Sequence, residues 1–412
     1  MLAKLKNCIF PQKNSLISQK NRWEFFDLSL LGKEISGYAE TLFDGRYIYY
    51  GPERNYDLRK FSHTSHSYML RVDTTLPFSQ KESWQVFDIK KFFPEAAGSV
   101  GMVFDGRYII FAPFRKGGPG EYLLNSIVVK YDTHNAFGFQ DAWSKFDLKH
   151  IHEDAGGFVG ADCDDEYAYF TPYVSNEKSI FVRYKLSAPI DDVNAWEYVN
   201  LLEFNQSLKG YIGCQYANGY VYFSPCFSDI TNLPHGNMLR FNTKKSFTDK
   251  NSWEVMDFTN ALDTRVGYDG MSFDGRYIYY APYYCKKPWD NNKTHGNLLR
   301  FDTTSKFKDE DAWESFDLEK NLSTHLIGFI GAGFDGQRIY LAPVANKKGY
   351  HGNVVCYDTH FPFQDKLAYS FFDISKLNKR CIYYDGKITS DGQHMYFSAC
   401  GPNAMMARFR FA

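Results

Sequence analysis

The chain of 412 residues lacks any apolar run of the roughly 18 residues that a membrane-spanning helix needs, so membrane insertion is not expected. It has almost no net charge: the formal value is −1, and no global field favours nucleic acid or an anionic membrane. Two lysines near the start, Lys4 and Lys6, are followed by no sustained apolar stretch, so a secretory signal is not expected. The eight cysteines form no CxxC pair and keep no constant spacing, which argues against a zinc ribbon or a disulfide framework. They read as reduced, buried thiols of a cytoplasmic protein, and no metal or cofactor is expected. A Gly-rich phosphate loop, a GxSxG elbow and an HExxH helix are also missing.

What the chain has instead is aromatic residues, 18 % of the total, and a repeat. One signature, ending in Trp-x-x-Phe-Asp, starts at Trp23, Trp84, Trp143, Trp196, Trp253 and Trp313 and returns with tyrosine at Tyr369. A second, Phe-Asp-Gly-Arg-Tyr-Ile-Tyr, is nearly intact at Phe43, Phe104, Phe273 and Phe334 and worn at Cys163, Tyr216 and Ser390. A third, Leu-Leu-Arg-Phe-Asp-Thr, carries at its arginine position Arg71, Lys130, Arg183, Arg240, Arg300, Cys356 and Arg408.

Each signature has a strand reading. The segment before Phe-Asp-Gly is glycine-rich, as in Gly98-Ser-Val-Gly101, and small residues suit strands that crowd on an axis (strand a). Asp-Gly is the preferred pair for a type I′ hairpin turn. The following aromatic segment is strand b, with proline at its end at Pro52, Pro113, Pro172, Pro225, Pro282, Pro343 and Pro402. Leu-Leu-Arg-Phe is strand c and Trp-x-x-Phe-Asp is strand d. Seven four-stranded antiparallel units predict an all-β, seven-bladed β-propeller over residues 23–412, preceded by a tail at 1–22. The chain opens on an orphan strand d at Trp23–Asp27 and finishes on an orphan strand c at Ala407–Phe411. A ring closed by the N-terminal strand pairs them and hides both edges, whereas a linear solenoid needs polar caps that neither end supplies.

This architecture resembles the repeat propellers, the broad group of WD, kelch and propeller-lectin proteins, over about residues 23–411. The WD Gly-His and Trp-Asp landmarks and the kelch double glycine are missing, so no single family is indicated and no functional residue is carried over.

The b–c loops differ in length between copies, and variable loops on a rigid scaffold are where specificity usually sits. They carry basic residues, including Arg115, and aromatics at Phe114, Tyr173, Phe227, Tyr283, Tyr284 and Trp289. This mixture suits a carbohydrate, an anionic small molecule or a protein partner, although ordinary solvated loops have the same composition. His-Gly-Asn recurs at His235, His295 and His351, either as repeated ligand contacts or as a simple turn into strand c. The leading reading is therefore a non-catalytic, lectin-like or protein-binding propeller that uses its b–c face.

The alternative is a hydrolase or lyase with acid and base groups at the axial mouth. Its candidates are the repeat-breaking acids Glu40, Asp269 and Asp385. Glu40 and Lys387 stand where five other copies have glycine, and an ion pair across the closure is the plainer account of those two. Cys226 and Cys285 open adjacent b–c loops, with nothing nearby to activate either thiol. The acids that recur after strands c and d read as caps of short turns.

Overall fold

The computed structural model describes residues 15–57, 62–118, 121, 123–173, 178–228, 233–258, 265–284, 294–401 and 405–412. It is a seven-bladed β-propeller. Seven four-stranded antiparallel sheets carry the inner-to-outer order a-b-c-d. The first blade is built from Tyr38–Phe43, Tyr47–Pro52, Tyr68–Asp73 and Trp84–Asp88. In the last blade, Trp23–Phe26 pairs with Met406–Arg410, so the N-terminal strand closes the ring. No described helix is long and apolar enough to cross a membrane.

The repeat signatures explain how the blades hold together. The strand-d tryptophans donate their indole N–H to the backbone oxygen six residues earlier: Trp84 to Phe78, Trp143 to Phe137, Trp253 to Phe247. Tyr369 does the same with its hydroxyl, to Phe363. Trp23 obeys this rule with Ile17, which is 1 % exposed in the core between the first and last blades. Ile17 fills the site that Phe78 fills one blade later, so this part of the expected tail packs on the ring.

The strand-c arginines stitch neighbouring blades. Arg71 lies 3.9 Å from the Tyr47 ring centroid of its own blade and 4.5 Å from Phe137 of the next. Arg183, Arg240 and Arg300 repeat this, and Arg408 reaches back to Phe78 at 5.0 Å to complete the circle. These cations are desolvated between two rings, where cation–π attraction is strongest. Each is also held by a strand-d partner, Arg240 by Glu254 and Arg408 by Glu24. The outer ion pair of Arg380 with Asp27, 2.5 and 2.8 Å, adds a second clasp at the closure.

The recurrent acids are scaffold, as expected. Asp27, Asp88, Asp147, Asp317 and Asp373 cap the short turns after strand d. Asp73, Asp132 and Asp302, which end strand c, pair with Arg46, Arg107 and Arg276 in the turn just before strand b.

One local expectation is corrected. In the Asp-Gly hairpins only the glycine has positive φ, as at Gly45 and Gly275, both +102°. The aspartate is the last paired residue, and its carboxylate accepts from the two backbone N–H groups beyond the glycine. One left-handed residue at the first central position is the type II′ pattern. Among the described residues, Asn218-Gly219 has positive φ at both positions, as type I′ requires. In the last blade, Ala399 faces the start of strand a, across from Tyr384. Pro402 lies outside the described residues.

Candidate functional site

Strand a bulges in every intact blade, between Ala39 and Thr41 in the first and between Tyr268 and Met271 in the fifth. The bulge residue is glycine at 101, 160, 213, 270 and 331 because the next blade presses on it. A Cβ on Gly331 would overlap the carbonyl oxygen of Gly386, and one on Gly101 the carbonyl oxygen of Val159. Glu40 fills this position only by adopting φ +50°, a left-handed conformation that costs a non-glycine residue about 1 kcal/mol or more. The last blade carries one extra residue here. Gly386, with φ +69°, lies crowded against Glu40. Lys387 keeps the repeat glycine's spacing to the turn, four residues before Asp391 as Gly331 is before Asp335.

The residue before each bulge faces the axis at one mouth of the ring. It is Val100, Val159, Ile212, Asp269, Ile330 and Asp385 in successive blades from the second, and all six line a cavity of about 510 Å³. Its rim comes from the first residues beyond strand b: Glu53, Arg54, Phe114, Arg115, Tyr173, Tyr283 and Tyr284, with Tyr383 and Glu40 completing the wall. The fold therefore brings both candidate sets together. The axial acids Glu40, Asp269 and Asp385 share one pocket with Phe114, Arg115, Tyr173, Tyr283 and Tyr284 of the b–c face.

The other candidates lie elsewhere. His235, His295 and His351 are latches. Each Nε2 sits 3.0–3.4 Å from a backbone carbonyl beside the start of strand a, and His295 and His351 accept a backbone N–H at Nδ1. Burial pushes all three imidazoles down to about 4, so they are neutral near pH 7. His66 is an unforeseen fourth member, bonded to the Gly37 carbonyl. Phe227 is buried in its blade at 4 % exposure. Cys226 is fully buried, and desolvation raises its thiol well above the usual range, so it is not an activated nucleophile. Trp289 and Cys285 lie outside the described residues.

The ionisable groups of the mouth are unevenly matched. Glu53 is buried and takes both arginines, Arg54 at 3.0 Å and Arg115 at 3.3 Å. It also accepts the thiol proton of Cys400 at 3.0 Å. Arg54 donates to the Tyr383 hydroxyl at 3.1 Å, and Tyr383 has φ +60°. Asp269, only 6 % exposed, has no hydrogen-bond or ion-pair partner among the described residues. Burial raises its carboxyl well above the normal range, and Asp385, Glu40 and Glu53 push it further. Burial, with Glu53 adding to it, raises Asp385 to about 7. Burial raises Glu40 to about 8 even with Lys387 favouring its charge. The charge of Asp162 acts on Lys387 more strongly than that of Glu40, and no contact ion pair between Lys387 and Glu40 forms. The expected closure ion pair is thus a longer-range attraction.

Sequence reasoning passed over Glu53, Arg54 and Tyr383 as site residues. The signal available for Glu53 and Arg54 was position: they directly follow Pro52, as Phe114 and Arg115 follow Pro113. Of the described basic residues of the b–c loops, Arg54 and Arg115 reach the mouth and two lysines are paired with acids. Lys178 pairs with Asp154 and Lys347 with Glu319.

No protein-family model and no curated protein matches this chain. Solved structures do. A structure of the nidogen/laminin complex aligns with a TM-score of 0.41 at 11 % identity, over 75 % of this chain and 96 % of that one. The WD40 domain of Neurospora crassa Pan2 aligns with a TM-score of 0.53 at 8 % identity, covering 95 % of this chain and 96 % of that domain. At that identity the likeness to the Pan2 domain shows the propeller fold alone.

Proposed function

We propose that this chain is a ligand-binding propeller whose ligand is a small polar molecule seated in the axial mouth of the b–c face. The observation that carries this reading is the convergence of variable rim residues and repeat-breaking axial acids on one cavity of about 510 Å³. That volume falls within the usual range for small-molecule sites. Aromatic walls at Phe114, Tyr173, Tyr283 and Tyr284 supply flat apolar contact, and Asp269, Asp385 and Arg115 supply fixed polar groups. A carbohydrate or another neutral polar ligand fits this lining better than an anion, because both arginines are already engaged by Glu53. A protein partner would read the same rim from outside.

The test is a ligand survey by thermal shift on the full chain, covering neutral sugars, amines and small anions. Ligands that raise the melting temperature are then titrated into Tyr283→Ala and Asp385→Asn. Binding weakened at least tenfold in both supports the axial mouth. A ligand bound with unchanged affinity by both variants places the site elsewhere.

A second reading, acid/base catalysis, is favoured by one observation. Two axial carboxyls, Asp385 at about 7 and Glu40 at about 8, titrate near neutral pH, and Glu40 is held in a strained backbone conformation. Turnover of any bound ligand that disappears in Glu40→Gln while binding persists would move this reading to first place.

A further inference from the structure

The axial mouth has a sign. Four carboxyl groups line it, Glu40, Glu53, Asp269 and Asp385, against two guanidinium groups, Arg54 and Arg115. Both guanidiniums are held at one carboxylate, Glu53. The remaining three acids come from the fifth, seventh and first blades and face one another across the axis. Each of Asp385, Glu40 and Glu53 acts on Asp269 with the same sign, and among the described residues no cation opposes them at Asp269, whereas Lys387 acts on Glu40 and Arg54 on Asp385. A carboxyl that is more than nine-tenths buried, lines a cavity and lacks any partner is costly unless something enters to satisfy it.

The walls fit a particular kind of occupant. The rings of Tyr283 and Tyr284 lie close together, 3.8 Å between centroids and tilted by 41°, and Tyr283 feels the charge of both Asp269 and Asp385. Tyr173 neighbours Tyr284 on the same rim. Aromatic faces beside buried carboxyls are the two elements of ammonium recognition: the rings attract the cation through their quadrupole, and the carboxylates neutralise it. A neutral polyol would satisfy hydrogen bonds but would leave the repulsion among the acids in place.

We propose that the axial mouth binds a small molecule bearing a positively charged amine or quaternary ammonium group, seated between Asp269 and Asp385 with the rings of Tyr283 and Tyr284 beside it. This rests on the binding reading above and names its ligand class. Asp269 is the chief counter-ion, and Glu53 with its two arginines is a fixed wall beside it.

The experiment is isothermal titration calorimetry on the full chain with choline and with 3,3-dimethylbutan-1-ol, its neutral isostere, alongside putrescine, glucose and calcium chloride. At pH 8, choline or putrescine should bind, and 3,3-dimethylbutan-1-ol should bind at least tenfold more weakly than choline. Asp269→Asn should weaken amine binding at least tenfold while its circular dichroism spectrum matches wild type. Tyr283→Ala should weaken it severalfold. Equal affinity for choline and its isostere, or selective binding of glucose, would overturn the cationic assignment and leave the pocket reading standing. Binding of calcium in place of the amines would overturn it too, as would amine binding unaffected by Asp269→Asn. If no probe of any class binds, both readings fall.

Discussion

Asp269 and Asp274 sit at opposite ends of one inner strand and its turn, and they live in opposite chemical states. Asp274 accepts from the backbone N–H groups of Arg276 and Tyr277 and from the Tyr279 hydroxyl, at 2.7–2.8 Å. Asp44, Asp335 and Asp391 repeat that arrangement in their own blades, and the hydrogen bonds hold Asp391 down at about 2 despite burial. Asp269 has none of these bonds and is pushed the other way. Every acid that belongs to the repeat is satisfied by the repeat. Asp269, which breaks it, is left for something else, and it shares one mouth with Asp385 and Glu40.

The two ends also differ in what they allow a glycine to become. Gly331 is packed against the next blade at the axis, whereas a Cβ on Gly275 at the turn would meet nothing within 4 Å. The same substitution at the two ends should therefore have different costs. Gly331→Ala should lose about 4 kcal/mol or fail to fold, because neither backbone can yield without opening the ring. Urea denaturation measures this, and a loss below 1 kcal/mol would mean the blades are not closely packed at the axis.

Asp274→Ala comes next. It leaves two backbone N–H groups and a tyrosine hydroxyl without their acceptor, so a loss of about 2–3 kcal/mol is expected. Ligand affinity in the folded protein should be unchanged, since the turn lies at the far end from the mouth. Gly275→Ala should cost only about 1–2 kcal/mol, the price of a left-handed backbone without a steric clash. A larger loss than that of Gly331→Ala would invert the comparison.

Acidity separates the ends as well. The raised carboxyls, Asp385 at about 7 and Glu40 at about 8, bind protons more tightly folded than unfolded. They cost nothing below pH 4, where both states are protonated, and their penalty grows as pH rises toward 8. Asp391 is depressed to about 2, so its contribution is present above pH 4 and fades as pH falls toward 2. Melting curves from pH 5 to pH 9 should show wild type losing stability on the alkaline side, and Asp385→Asn should flatten that limb.

The fold was legible because its restraints recur: the Trp-x-x-Phe-Asp, Phe-Asp-Gly-Arg and Leu-Leu-Arg-Phe signatures each correspond to a contact made again in successive blades. The role of Ile17 was also within reach, since a hydrophobic residue stands six places before each strand-d aromatic, as Phe78 does before Trp84. The site was legible only in part. Asp269 and Asp385 stood out because they interrupt a pattern, but Glu53 was marked only by its place after Pro52, and Tyr383 and Cys400 fall in the last blade, where the repeat is worn. The extra residue of the last blade was hidden because Gly386 and Lys387 could each be aligned to the repeat glycine. The histidines misled in the other direction: their recurrence is that of a structural latch.

The most direct test of the account is the stability of Asp269→Asn at pH 8 in the absence of ligand. An unpartnered buried carboxyl facing other acids should be a liability to the empty protein, so the variant should be more stable than wild type, by about 1 kcal/mol, in urea denaturation. The gain should shrink at pH 5. If Asp269→Asn is less stable than wild type at both pH values, Asp269 is a scaffold residue like Asp274, and the distinction between the two ends of the strand fails.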